Sequence, residues 1–278
     1  MPGLTLQPVR HGPFSGRLST EVIAAYASAT GDESSVVRDG LGVPAVFPAI
    51  LAFSAQAAAM GDLPALAWDR IRGGVHGEHD IALHRPLRPD EELDTWARIS
   101  AVRTARSGTR LVVHLEQVDT DGRIAVEQWW TVMLLGLTGV ADLGSAPDDH
   151  RLPETARTHV VGSSRHPVDR GLAHRYADVS GDWSAHHFDI AAAQASGVDF
   201  LFAHGLCTMA ICTHRVLGLL NVDDPGRVAR VAVRFSSPTP LGADLVVNAC
   251  GVGDNRVAFE AFANGIATIT NGRLDIRS

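Results

Sequence analysis

Hydrophobic and polar positions follow the same order twice along this chain of 278 residues. Each half contains an apolar segment of helical length, at 44–60 and at 200–220, which follows a short polar stretch. Segments with a strand-like pattern follow, at 79–87, 92–105, 109–122 and 123–136 in the first half and at 227–239, 244–255, 256–265 and 266–276 in the second. Three stretches between strands, 120–122, 253–255 and 264–265, contain the Asn, Asp and Gly of tight hairpins. The pattern predicts one helix followed by an antiparallel meander, in two copies.

An internal repeat supports this division. Residues 26–34 read "YASATGDES" and residues 176–184 read "YADVSGDWS", so that Tyr, Ala, Gly, Asp and Ser match at a constant offset. Between the halves, "GSAPDDHRLPETA" is polar and interrupted by proline, as is typical of a linker. We therefore predict an α+β fold with a first repeat over 1–143, a linker over 144–157 and a second repeat over 158–278, each sheet wrapping its own helix.

Composition narrows the possible partners and the cellular location. The chain is 45% hydrophobic and has a formal charge of −7, which argues against nucleic acid or an anionic membrane surface as a partner. Its three cysteines form no CxxC pair, so neither a disulfide framework nor a structural zinc site is expected. The first residues lack the apolar core of a secretory signal, and the segment 44–60 is too short and too rich in proline to span a membrane. We expect a cytoplasmic protein.

The stretch "SGDWSAHH" at 180–187 carries the candidate chemistry. Asp182 and His187 are five residues apart, and across a loop such a carboxylate and imidazole can converge on one water. Histidine suits acid–base work because its unperturbed pKa of about 6.5 is near neutrality. The alternative is structural: Asp182 could cap the short helix predicted near "DIAAAQAS" at 189–196, or brace a turn. The first repeat keeps Asp32 but has Val37 where the histidine would be, so we expect one active site per chain.

These residues resemble the signature of MaoC-like dehydratases, the (R)-specific enoyl-CoA hydratases also called hydratase 2. Gly181, Asp182 and His187 match the family's Gly-Asp…His pattern, and "FAHGLCTM" at 202–209 matches its His-Gly helix start through His204 and Gly205. Ser184, Ala185 and His186 depart from the pattern, since the family has Asn, Pro and an aliphatic residue at these positions. The resemblance extends over nearly the whole chain and implies a double-hotdog fold.

The same resemblance implies a hydro-lyase that adds water to trans-2-enoyl thioesters or dehydrates 3-hydroxyacyl thioesters. The substrate would be carried by coenzyme A or by an acyl carrier protein, in fatty acid or polyketide metabolism, and no cofactor or metal would be needed. Asp182 and His187 would activate the water, and the Gly205 N–H would bind the thioester oxygen at a helix start, where backbone N–H groups have no intrahelical partner. Ser184 would support the loop by hydrogen bonding, and His204 would be structural. A homodimer would cover exposed sheet edges.

Two other functions remain open from the sequence. Hotdog folds also host acyl thioesterases, and the chain could be a non-catalytic acyl-binding or partner subunit, because fold does not fix function. A metal site at His76, His79 and His84 is not expected, since alternation along a strand would turn His79 away from the other two.

Overall fold

The computed structural model describes residues 5–145, 147, 150–151, 154–253 and 255–278. The elements of the first half are β1 (His11–Arg17), α1 (Thr20–Thr30), α2 (Ser35–Arg38), a 3-10 segment (Phe47–Ala52), α3 (Phe53–Met60), α4 (Ala65–Trp68), β2 (Gly73–Leu83), β3 (Glu92–Ala105), β4 (Gly108–Val118), β5 (Ile124–Leu135) and β6 (Leu143–Gly144). Those of the second half are a 3-10 turn (Glu154–Thr158), β7 (Val160–Pro167), α5 (Leu172–Ser180), a 3-10 turn (Ala185–His187), α6 (Ile190–Ala195), β8 (Phe202–Ala203), α7 (Gly205–Leu219), a 3-10 turn (Pro225–Arg227), β9 (Val228–Phe235), β10 (Thr239–Pro240), β11 (Asp244–Gly253), β12 (Arg256–Ala263) and β13 (Ile266–Ile276). Five positions of the predicted linker 144–157, namely 146, 148, 149, 152 and 153, lie outside the described residues.

Eleven strands of the described residues form one antiparallel sheet that runs through both halves. The order β1-β3-β4-β5-β2 in the first half is repeated in reverse as β9-β13-β12-β11-β7 in the second, with β6 paired to β3. The halves join where β2 pairs with β9, for example Ile81 with Val231. At this seam the buried Asp80 accepts two hydrogen bonds from the Arg230 guanidinium, at 2.8 and 2.5 Å. The predicted duplicated α+β plan is confirmed, with two corrections: the two expected sheets are one, and β2 pairs with β5 instead of with β3, so the strands do not form a simple meander.

Strand positions agree best where apolar residues alternate most clearly. β3 and β13 coincide residue for residue with the predicted segments 92–105 and 266–276. The hairpin predicted at 264–265 is present, since Asn264 and Gly265 have φ values of 52° and 78°. The turn predicted at 253–255 includes Asp254, which lies outside the described residues. β1 and β7 were not predicted, because their mostly exposed residues have no regular apolar alternation.

The central helices of the two halves differ in form. In the second half α7 is continuous and has eleven buried residues. In the first half the predicted helix over 44–60 is divided into the 3-10 segment and α3, with Pro48 at the start of the 3-10 segment. The Pro48 carbonyl accepts hydrogen bonds from the buried side-chain amides of Gln117 and Gln128, at 3.0 and 3.2 Å. Pro48 has no backbone N–H to donate to a preceding carbonyl, which disfavours a regular helix through this position. Its own carbonyl bonds to the sheet through the two glutamines.

The repeats also meet through the helices that carry the duplicated motif. α1 packs on α5, and the fully buried rings of Tyr26 and Tyr176 lie 5.9 Å apart. Cys207 and Cys212 are unpaired and buried on α7, as expected of small core residues. No helix within the described residues is long and apolar enough to cross a membrane.

Candidate active site

The loop after α5 holds Asp182 in a tight turn. Gly181 ends the helix with φ of 75°, and the Asp182 Oδ1 then accepts hydrogen bonds from the Ser184 backbone N–H at 3.1 Å and from the Ser184 hydroxyl at 2.6 Å. Asp182 therefore braces a turn, whereas the cap of α6 is Asp189, whose carboxylate accepts from the Ala192 N–H. Partial burial acts to raise the pKa of Asp182, but the Ser184 hydrogen bonds and the nearby His204 leave this pKa below its usual value.

His187 is buried at the end of the same loop, and its hydrogen bonding fixes its tautomer. The Nδ1–H donates to the Phe202 carbonyl at 3.0 Å. Because a carbonyl oxygen can only accept, Nδ1 carries the proton and Nε2 keeps a lone pair. Burial of the ring, together with the neighbouring His204, lowers the pKa of His187 from 6.5 to about 3. At neutral pH the side chain is thus an uncharged imidazole with a free acceptor nitrogen.

His204 connects the loop to the helix that follows. Its Nε2–H donates to the Asp182 backbone carbonyl at 2.9 Å, and its ring centre lies 3.7 Å from that of His187. Its Nδ1 is buried and has no hydrogen-bond partner among the described residues. His204 precedes the first residue of α7, so its contacts place the start of that helix beside the Asp182 loop.

Gly205 is the first residue of α7, where backbone N–H groups have no acceptor within the helix. A Cβ at this position would lie 3.2 Å from the Phe235 ring, closer than an ordinary van der Waals contact, so glycine fits here without displacing that ring. Ligand-capable atoms of Asp182, His187 and His204 lie within 4.8 Å of one another. The structure therefore brings the predicted acid, imidazole and helix start together in one place.

Two groups within the described residues have the composition of a metal site, and His76, His79 and His84, where no metal site is expected from the sequence, belong to neither. The first is Asp182, His187 and His204, and the second is His114, Glu116 and Glu127 on β4 and β5. In the second group Glu127 already accepts hydrogen bonds from His114 at 3.0 Å and from His84 at 2.8 Å.

The prediction that His79 points away from His76 is wrong. The His76 Nε2 lies 3.2 Å from the His79 Nδ1, because the register of β2 shifts between His76 and Glu78 and the strict alternation is lost at Gly77. His79 then reaches the Gln128 side-chain oxygen at 3.0 Å. His84 is paired separately with Glu127, so the three histidines do not form a group.

The two joined repeats define the protein as a double hotdog. A solved Mycobacterium tuberculosis protein described as having a double hotdog fold superimposes over 99% of this chain and 96% of its own, with 17% identity and a TM-score of 0.61. A MaoC-like dehydratase from Phytophthora capsici superimposes over 98% of this chain and 96% of its own, with 20% identity and a TM-score of 0.83. The predicted double-hotdog fold is confirmed.

Residues 152–270 match the family model described as "MaoC like domain", and the predicted resemblance is confirmed. The 3-hydroxyacyl-thioester dehydratase X of M. tuberculosis is 29% identical over 225 residues, which cover 80% of this chain and 72% of that protein. The peroxisomal multifunctional enzyme type 2 of Drosophila melanogaster is 26% identical over 216 residues, 73% of this chain. The aligned part is 34% of that enzyme's length.

Proposed function

We propose that this protein adds water to trans-2-enoyl thioesters to give (R)-3-hydroxyacyl thioesters, and catalyses the reverse dehydration. The observation that carries the proposal is the meeting of Asp182 and His187 beside the start of α7. The names of the relatives, a 3-hydroxyacyl-thioester dehydratase among them, support the same reaction class. The (R) configuration is what the resemblance to hydratase 2 implies.

In the proposed mechanism Asp182 and His187 hold one water between them. The Asp182 Oδ1 is engaged by Ser184, which leaves Oδ2 to accept a hydrogen bond, and the His187 Nε2 lone pair accepts the second. A water that donates both hydrogens turns an oxygen lone pair towards the β-carbon of the enoyl group. One of the two acceptors takes a proton as the C–O bond forms, and the same proton is then delivered to the α-carbon. Both groups thus return to their starting state, and no cofactor is consumed.

Negative charge moves onto the thioester oxygen as the C–O bond forms. The Gly205 N–H is the proposed donor to this oxygen, since the helix macrodipole places partial positive charge at the start of α7. Loss of one such donor typically costs about 2.7–4 kcal/mol of barrier. Ser184 holds the Asp182 carboxylate and His204 holds the Asp182 backbone, so both act by positioning the acid.

Substitution of the pair tests the proposal. We expect Asp182→Asn and His187→Gln to lower the rate of enoyl-CoA hydration about 10²–10⁴-fold, because each removes one group that moves or holds the proton. His186→Gln is the matched control: the His186 ring packs 4.2 Å from that of His187 and stacks on Phe202, but among the described residues it makes no hydrogen bond to Asp182 or His187. The assay follows loss of enoyl absorbance with crotonyl-CoA, longer enoyl-CoAs and an enoyl-acyl carrier protein, with melting curves to verify folding.

Assays of the same purified protein distinguish the hydro-lyase from the two other candidate functions. A saturated acyl-CoA incubated with a thiol reagent reports hydrolysis, and release of free coenzyme A would favour a thioesterase over a hydro-lyase. A wild-type protein that is inactive with both coenzyme A and carrier-protein substrates would favour a non-catalytic subunit. Full activity in Asp182→Asn would show that the proposed acid has no part in the reaction.

We also propose that the protein is a homodimer. β1 and β7 lie at the two ends of the sheet, and Val160 on β7 is 71% exposed. Edge strands with exposed apolar residues are sites of association between chains. We expect light scattering to give twice the chain mass and Val160→Lys to shift it towards the monomer. A monomer at all concentrations would contradict this part.

A further inference from the structure

The Gly-Asp loop of the first repeat, Gly31–Asp32, lies against the second half of α7. The Asp32 Oδ2 is 3.4 Å from the His214 Nδ1, and their side chains are only 4% and 3% exposed. On the next residue of α7, Arg215 donates from Nη2 to the Gly31 carbonyl at 2.7 Å. Two successive residues of α7 are therefore held by the loop that corresponds, in the repeat, to the Gly181–Asp182 loop.

His214 is in contact with the first repeat on both sides of its ring. The Thr30 hydroxyl donates to the Tyr26 carbonyl at 2.8 Å, so at its 3.2 Å contact with the His214 Nε2 it can only accept. On the other side Nδ1 faces the Asp32 Oδ2, which has no hydrogen-bond partner among the described residues. Burial lowers the pKa of His214 and the Asp32 carboxylate acts against this shift, so the contact is electrostatic.

This pair is placed to hold a helix and is poorly placed to meet a substrate. A cavity of about 320 Å³ adjoins the loop, but with 3–4% of the two side chains exposed, neither can bind and release a thioester. His214 is nine residues after Gly205, about 14 Å along the axis of the same helix. Contacts at His214 and Arg215, about 100° apart around that axis, fix both its translation and its rotation.

We infer that the Gly-Asp loop of the first repeat is an anchor for α7, and that Asp32, His214 and Arg215 are positioning residues for the Gly205 N–H. The inference rests on the proposed function, in which that N–H binds the thioester oxygen. Displacement of a reacting group by 1 Å can cost about 10²-fold in rate, so a loosened helix affects turnover before it affects folding.

A comparison of Asp32→Ala with Asp32→Asn distinguishes loss of the anchor from loss of side-chain packing. Asn keeps an oxygen for the Ser34 N–H, and its amide N–H can donate to the Nδ1 lone pair of a neutral His214. We expect Asp32→Ala to lower kcat about tenfold, with KM within about twofold of wild type, at a temperature well below its melting point. Asp32→Asn is expected to retain kcat. Cys212→Ala is the matched control, since Cys212 is fully buried on α7 and is not one of the residues that pair with Gly31 or Asp32.

Arg215→Met provides a second variant in case Asp32→Ala does not fold. It keeps the apolar stem of the side chain and removes the bond to the Gly31 carbonyl, and we expect the same loss of kcat. The anchor is wrong if Asp32→Ala and Arg215→Met lower only the melting temperature, as Cys212→Ala does, or if Asp32→Asn is as impaired as Asp32→Ala.

Hydrogen–deuterium exchange separates failure of the anchor from failure of the proposed function. Amides at 208–212, in the first hydrogen-bonded turn of α7, should exchange faster in Asp32→Ala and in Arg215→Met than in Cys212→Ala, whether or not the protein is a hydratase. An inactive wild type with this exchange pattern refutes the hydratase alone. Unchanged exchange at 208–212 in an active enzyme refutes the anchor alone.

Discussion

Acid should destabilise this protein through His187. Burial lowers the pKa of His187 from 6.5 to about 3, so below pH 6.5 the unfolded chain binds a proton that the folded protein does not. Acid favours the unfolded state, because its His187 has the higher proton affinity. The stability present above pH 6.5 is therefore lost as the pH falls towards 3. With these two values the loss between pH 8 and pH 5 is about 2 kcal/mol of unfolding free energy.

Urea denaturation at pH 8 and pH 5 measures this loss. His187→Gln removes the titrating group and keeps a polar side chain, so its stability should fall by about 2 kcal/mol less than that of the wild type over the same interval. His159→Gln, at an exposed position, controls for the loss of a histidine. Parallel pH dependence in wild type and His187→Gln would refute the buried neutral imidazole, and with it the acceptor role of the His187 Nε2.

The structure supports three further predictions. Asp80→Ala should cost about 3–5 kcal/mol in urea denaturation, because it breaks a buried ion pair by removing the carboxylate that accepts two hydrogen bonds from Arg230 at the seam. The double variant Asp80→Ala/Arg230→Met should be more stable than Asp80→Ala. Gln128→Leu should cost about 1–3 kcal/mol by the same measurement, since buried partners lose their hydrogen bonds; an unchanged midpoint would contradict this. Gly205→Ala keeps the backbone N–H but places a Cβ 3.2 Å from the Phe235 ring, so it should lower both the melting temperature and hydratase activity. Phe235→Leu added to it should relieve this crowding and recover part of both, as melting curves and the enoyl-CoA assay would show; no recovery of either would contradict this reasoning.

The sequence predicts the repeated plan well because strand alternation and turn chemistry are local. β3 has one face on the core, and its apolar residues recur at every second position with few interruptions. The candidate pair could be named from spacing and resemblance, but its chemistry depends on distant residues. The His187 tautomer is set by the Phe202 carbonyl, which is held where β8 pairs with β10 through Pro240. No pattern near His187 encodes that contact.

The sequence patterns do not predict features in which one residue breaks the regular alternation of apolar positions, or in which distant residues come into contact. The bulge at Gly77 brings His76 and His79 together, although strict alternation would separate them. Pro48 helps to divide a segment whose composition favours one helix. The contact of Asp32 with His214 joins residues 182 positions apart, so only the packing of α1 against α7 reveals it.

The asymmetry between the repeats follows from what each Gly-Asp loop faces. In the second repeat Asp182 shares its loop with His187, and the carboxylate remains partly accessible. In the first repeat Val37 stands at the position of the histidine, and the imidazole near Asp32 comes instead from α7 of the other repeat. A carboxylate enclosed by a helix cannot also hold a substrate water. On the proposed mechanism, the change that removes a site from the first repeat thereby gives the second repeat a support for the helix that carries Gly205.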